Sequence, residues 1–148
     1  MFQLKKFLHF QKSSNTIREK YSSEITEKII DLIKERLNTA LDIDKELAVF
    51  TGQPKEYDSG VIEKINREII FDVLNFCKLS EELISNPKAL KEQLMSFGSE
   101  KGISFGNIMK SLRLSLVGNL SGPDLFKIIE IIGPEETLHR IESLTNKI

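Results

Sequence analysis

Along almost the whole chain, apolar residues return at every third or fourth position, and the two-residue alternation of a half-buried strand is scarce. Coiled at about 3.6 residues per turn, such a segment carries a single apolar stripe, whereas an extended chain would scatter the same residues over both faces. The pattern therefore predicts an all-α protein. Ile25, Ile29, Leu32, Ile33 and Leu37 mark one helix, capped by Ser22 or Ser23, with Glu24 in its first turn, and running to about Asn38. Leu41, Leu47, Ala48 and Phe50 mark a shorter one. Val61, Ile65, Ile69, Val73 and Phe76 predict a long helix over 61–78. A short piece at 80–85 ends at Asn86-Pro87, which reads as the cap and first residue of a helix reaching about Phe97. Gly98, Gly102 and Gly106 then loosen the chain before a helix over 105–117, which Gly118 stops. Gly122-Pro123 restarts a helix that ends at Gly133, and Pro134 opens the last, carrying Leu138, Ile141 and Leu144. At the other end, residues 2–12 form a short amphipathic piece with Phe2, Phe7, Leu8 and Phe10.

One stretch interrupts this succession. Thr51 to Gly60 gathers Gly52, Pro54, Asp58, Ser59 and Gly60, a turn-forming set that suits a junction. The expected organisation is two packed helical subdomains, 1–57 and 58–148. A length of 148 residues accommodates both, and an apolar fraction of 40% supplies their cores.

Charge narrows the possible partners. The formal net charge is −1, without the general basicity of most nucleic-acid modules. It is unevenly spread: +3 over residues 1–40, −5 over 41–100 and +1 over 101–148. Only local patches are able to attract phosphate. The single cysteine, Cys77, permits no intrachain disulfide and sits in an apolar helical run, where it reads as a small core residue. No signal peptide and no membrane-length apolar run is present, so a cytoplasmic protein without membrane attachment is expected. HExxH, Cys-x-x-Cys, GxSxG and a phosphate-binding glycine loop are all missing, and His9 and His139 stand alone, so neither a catalytic residue nor a metal site is expected. Glu81-Glu82 and Glu135-Glu136 lie near helix starts, where carboxylates favour the positive end of the dipole. Residue chemistry by itself thus reaches a helical module for binding. A stand-alone protein-interaction module is one such reading.

The stretch Lys101 to Glu142, KGISFGNIMKSLRLSLVGNLSGPDLFKIIEIIGPEETLHRIE, goes further. Lys101-Gly102, Leu112-Arg113, Leu116, Gly118, Gly122-Pro123, Leu125, Gly133 and Arg140-Ile141 follow in order and spacing the C-terminal signature of bacterial-type glutamyl-tRNA synthetases, which this stretch resembles. It departs from the family at Ser111, where proline is usual, at Val117, where threonine is common, and at Ile132 in place of leucine. Upstream, Leu32-Ile33-Lys34-Glu35-Arg36 resembles the family's LxxER helix. The resemblance implies a two-part helical cage for the anticodon loop of tRNA-Glu. It implies a parent enzyme, expected to be monomeric, that joins glutamate to tRNA in protein synthesis through an ATP- and magnesium-dependent catalytic half. The HIGH- and KMSKS-type motifs of that half are not in these 148 residues, so neither catalysis nor ATP binding is expected of them.

The same resemblance carries tRNA contact onto Arg36, Arg113, Gly122, Pro123 and Leu125. Arg113 offers a fixed fork of donors to a base edge or a phosphate, or else pairs with a carboxylate on a helix surface. Gly122-Pro123 at a helix start lets main-chain groups approach a base, with Leu125 packing on its face, or else forms an ordinary interhelical turn. Arg36 matches a position linked to accepting C as the third anticodon base, or else stabilises a helix end as a cation.

Overall fold

The computed structural model describes residues 10–148, so most of the expected N-terminal piece, with Phe2, Phe7 and Leu8, lies outside the described residues. The described residues contain helices and no strand. The chain folds as two compact units, Met1–Gly52 and Gln53–Ile148.

In the first unit α1 (Asn15–Lys20) packs on both α2 (Ser23–Ile33) and α3 (Ala40–Thr51). Ser22 caps α2, its side chain accepting from the Ile25 N–H. The helix stops at Ile33, short of the expected Asn38, and tightens into a 3-10 turn over Lys34–Arg36. Thr39 and Asp42 form a reciprocal capping box that sets where α3 begins. That phase corrects the expected stripe. Ile43, Leu47 and Phe50, one helical turn apart, are buried, while Leu41 is 62% exposed and Ala48 faces outward. The Tyr21 hydroxyl closes the far end by donating to the Phe50 carbonyl at 2.7 Å.

The second unit holds α4 (Ser59–Ile65), α5 (Arg67–Leu79), α6 (Glu81–Ile84), α7 (Pro87–Lys101), α8 (Phe105–Val117) and α9 (Leu125–Lys147). Gln53 to Tyr57 are grouped with it. The single helix expected over 61–78 is two. Asn66, at φ 89°, ends α4 and starts α5, and its side chain accepts from the Glu68 N–H. The apolar stripe continues across the break, which is why periodicity concealed it. A short polar asparagine tolerates this left-handed geometry better than other non-glycine residues. Gly98 also departs from expectation, because it lies inside α7 rather than in a loop. A β-carbon there would come within 2.6 Å of Ile108 Cδ1 and 2.7 Å of the Ile103 carbonyl oxygen, so the glycine permits close packing. Helix α9 breaks at Gly133, φ 84°, immediately before Pro134.

The core of this unit brings Val73, Leu74 and Cys77 of α5 together with Leu112 and Leu116 of α8 and Ile129 and Ile141 of α9. Within it lies a charge. Arg140 is completely buried, its Nε donating to Glu136 Oε1 at 2.9 Å and its Nη1 to the Leu116 carbonyl at 2.9 Å. Glu136, expected as a dipole carboxylate, thus serves as the partner of a buried arginine. The pair ties the second half of α9 to the last turn of α8, immediately before Gly118.

Candidate nucleic-acid interface

The segment between α8 and α9 is built from both ends. Gly118, at φ 90°, stops α8, and the Asp58 N–H donates to its carbonyl at 2.8 Å. A β-carbon on Gly118 would collide with the carbonyl oxygen of Glu56, so the chain entering the unit lies against this turn. Asn119 Oδ1 then accepts from both the N–H and the hydroxyl of Ser121, each at 2.9 Å, folding the loop tip over Leu120, which stays 41% exposed.

Arg113, half-buried on α8, reaches this loop. Its Nη1 donates to the Pro123 carbonyl at 2.8 Å. Gly122, at φ 133°, lies under the guanidinium, where a β-carbon would come within 3.2 Å of Nη1. The arginine and the Gly122-Pro123 turn, ten residues apart in sequence, therefore form one surface feature. The contact with this main-chain carbonyl is one that the sequence did not reveal.

Two details of the turn differ from expectation. Helix α9 starts at Leu125 with Asp124 as its cap, the carboxylate accepting from the Lys127 N–H at 3.0 Å. Pro123 consequently precedes the cap rather than opening the helix, and its ring is buried. Leu125 is only 1% exposed and belongs to the core cluster. It supports the turn from beneath and offers no open face to a base.

Arg36 belongs to the first unit. Its Nε donates to Glu46 Oε1 of α3 at 3.0 Å, with the arginine side chain 39% and the carboxylate 12% exposed. Glu46 Oε2 is buried without a hydrogen-bond partner among the described residues, so the carboxylate is held inward. The sequence contained no sign of this partner, ten residues away across a 3-10 turn and a helix start. The buried Glu136–Arg140 pair was likewise not read from the sequence, although its i,i+4 spacing was a legible signal.

Among the described residues, burial shifts two titratable groups. Burial pushes the Cys77 thiol up to about 12, as suits a core side chain. Burial also raises the Tyr57 phenol, and the nearby Arg140 charge partly offsets this. Among the described residues no three His, Cys, Asp or Glu side chains gather to hold a metal, and no helix is long and apolar enough to cross a membrane.

Comparison with known proteins gives this geometry a context. The family model described as "Anticodon binding domain" matches residues 2–145. Glutamate--tRNA ligase 1 of Wolinella succinogenes is 32% identical over 122 residues, covering 80% of this chain and 26% of the relative. Glutamate--tRNA ligase of Amoebophilus asiaticus is 33% identical over 125 residues, covering 83% and 24%. The crystal structure of a glutamate tRNA ligase from Elizabethkingia meningosepticum superposes with a TM-score of 0.76 at 31% identity, over 99% of this chain and 29% of that one. The chain spans about a quarter of the length of these ligases and corresponds to their C-terminal part.

Proposed function

The chain belongs to the anticodon binding domain family, and we propose that it grips the anticodon loop of tRNA-Glu as the C-terminal part of a glutamate–tRNA ligase. The observation that carries this reading is the 2.8 Å bond from Arg113 to the Pro123 carbonyl, which joins residues implicated separately by resemblance into one surface feature. A guanidinium plane beside a main-chain turn suits an unstacked loop base, which is recognised by stacking and by hydrogen bonds at its edges. Gly122 lacks the β-carbon that would crowd the arginine, so the turn and the side chain lie close together.

On this reading, glutamate activation with ATP and magnesium belongs to the rest of the ligase, and the 148 residues supply recognition only. The deciding experiment titrates tRNA-Glu against the chain over a range of salt concentrations. Binding that weakens log-linearly with salt, and that exceeds binding to an unrelated tRNA, supports the proposal. Equal affinity for both RNAs, or none, refutes it and leaves a helical protein-interaction module.

A further inference from the structure

Helix α5 buries Val73, Leu74 and Cys77 against α8 and α9. On its opposite side Glu68, Asp72, Asn75 and Leu79 recur at intervals of four, three and four, the spacing of one helix face, and all four are exposed. Leu79 is 81% exposed, more than any other large apolar side chain among the described residues. Phe71, on the adjoining stripe, is 46% exposed. The two lie eight residues apart, about 12 Å along the helix axis. A single exposed leucine is ordinary on a protein surface, but two large apolar side chains on one side of one helix mark a face without a neighbour.

Charge gives this face a sign. Glu68 and Asp72 stand on the stripe that ends in Leu79, and Glu81 and Glu82 follow it directly in α6. All four carboxylates are exposed, and none forms an ion pair among the described residues. Arg67 and Lys78 flank the Phe71 side, so four carboxylates against two cations leave a net of −2. This is also the most acidic third of the chain, with −5 over residues 41–100.

These charges select the occupant. They repel phosphate, whether it belongs to RNA or to an anionic membrane. A second copy of the chain is disfavoured by symmetry, since an isologous pair would set the same carboxylates against one another. A protein segment that brings apolar side chains to Phe71 and Leu79, and cations to the carboxylates, satisfies both parts of the face.

We infer that the outward face of α5, with the start of α6, is a docking surface for an amphipathic, lysine- or arginine-rich helix of a partner protein. Laid along α5, such a helix presents apolar residues two turns apart, which matches the separation of Phe71 and Leu79, and its flanking cations meet Glu68, Asp72, Glu81 and Glu82. Helix α5 turns its other side to α8, which carries Arg113. The inference therefore stands apart from the RNA-binding reading, and either is able to fail alone.

The test titrates the whole chain with a synthetic amphipathic helix of leucine and lysine, and with a counterpart in which glutamate replaces lysine. Heteronuclear NMR follows the main-chain amides, so that place and affinity are read together. The lysine peptide is expected to bind, with shifts concentrated on residues 68–82. Two variants keep the proposal open to refutation, each checked for folding by circular dichroism. Leu79→Ser is expected to bind roughly fivefold more weakly with its salt dependence kept, because it removes apolar contact and no charge. Glu68→Gln/Asp72→Asn/Glu81→Gln/Glu82→Gln is expected to bind roughly tenfold more weakly in dilute salt and to lose most of its salt dependence. No binding, shifts centred elsewhere, equal binding of the glutamate counterpart, or wild-type affinity in either variant overturns the inference. Self-association of wild type that Leu79→Ser abolishes would make the occupant a second copy. Displacement of the peptide by tRNA-Glu would give the face to RNA. Either result also overturns the inference.

Discussion

Arginine side chains carry most of the candidate recognition, and each is held differently. Arg113 is tied to a carbonyl that belongs to the turn beside it, so Arg113→Ala removes both a donor fork and a brace. Binding of tRNA-Glu is expected to weaken by about 1–3 kcal/mol, in the range of a bidentate base contact, with the helical circular dichroism spectrum retained. An unchanged affinity with a lowered melting temperature would assign Arg113 to structure alone. Arg36 is anchored through Nε to a largely buried carboxylate, which orients the guanidinium. Arginine has donors only, and cytosine presents O2 and N3 as acceptors where guanine presents a donor edge. Stem-loops ending in C at the third anticodon position are therefore expected to bind more tightly than those ending in G. Arg36→Gln should narrow the gap, and so should Glu46→Gln, which removes the charge that positions the arginine. An unpaired buried donor costs about 1–3 kcal/mol, so the preference should be about fivefold to about 150-fold. Equal wild-type affinities would make Arg36 and Glu46 a surface pair.

At the scale of elements, helix ends place the site. Gly118 has a left-handed backbone and meets the Glu56 carbonyl oxygen where a β-carbon would sit. Gly118→Ala is expected to destabilise the fold by more than the ~1–2 kcal/mol of the left-handed conformation alone, read from urea unfolding. A loss below about 1 kcal/mol would mean that the entering chain moves aside freely. The Glu136–Arg140 pair anchors the other side. Glu136→Ala leaves the fully buried Arg140 guanidinium without its carboxylate, and an uncompensated buried charge typically costs about 3–5 kcal/mol, to be read from urea unfolding. Helix existence was legible in most elements, because 3.6-residue periodicity survives in them, but not in α1, whose six residues bury only Ile17 and so carry no stripe. The break at Asn66 was not, since α4 and α5 bury residues on a continuous stripe and the side chain that caps the break is also ordinary in a helix. Gly98 was misread for a similar reason. Glycine in sequence signals a loosened backbone, and only the neighbouring Ile103 and Ile108 reveal that it makes room for packing.

For the whole molecule, the buried groups give a pH signature. The Cys77 thiol titrates near 9 when exposed and at about 12 in the fold. Between those values the unfolded chain binds fewer protons than the folded one, so stability falls as pH rises, by up to about 1.4 kcal/mol per unit from this group. The raised Tyr57 phenol acts in the same direction at higher pH. Melting temperatures across this alkaline window should fall more steeply for wild type than for Cys77→Ala. Parallel curves would mean that the thiol is not held neutral. What the sequence by itself determined is the helical class, the turn-rich segment near residue 52 and the ordered signature over 101–142. All three depend on neighbours along the chain, through periodicity, turn chemistry and spacing. Only the tertiary structure decided that Leu125 is core rather than surface, that Pro123 offers its carbonyl to Arg113, and that Glu46 holds Arg36. Those outcomes depend on which faces meet across ten or more residues, and packing between distant segments is a relation that local pattern does not encode.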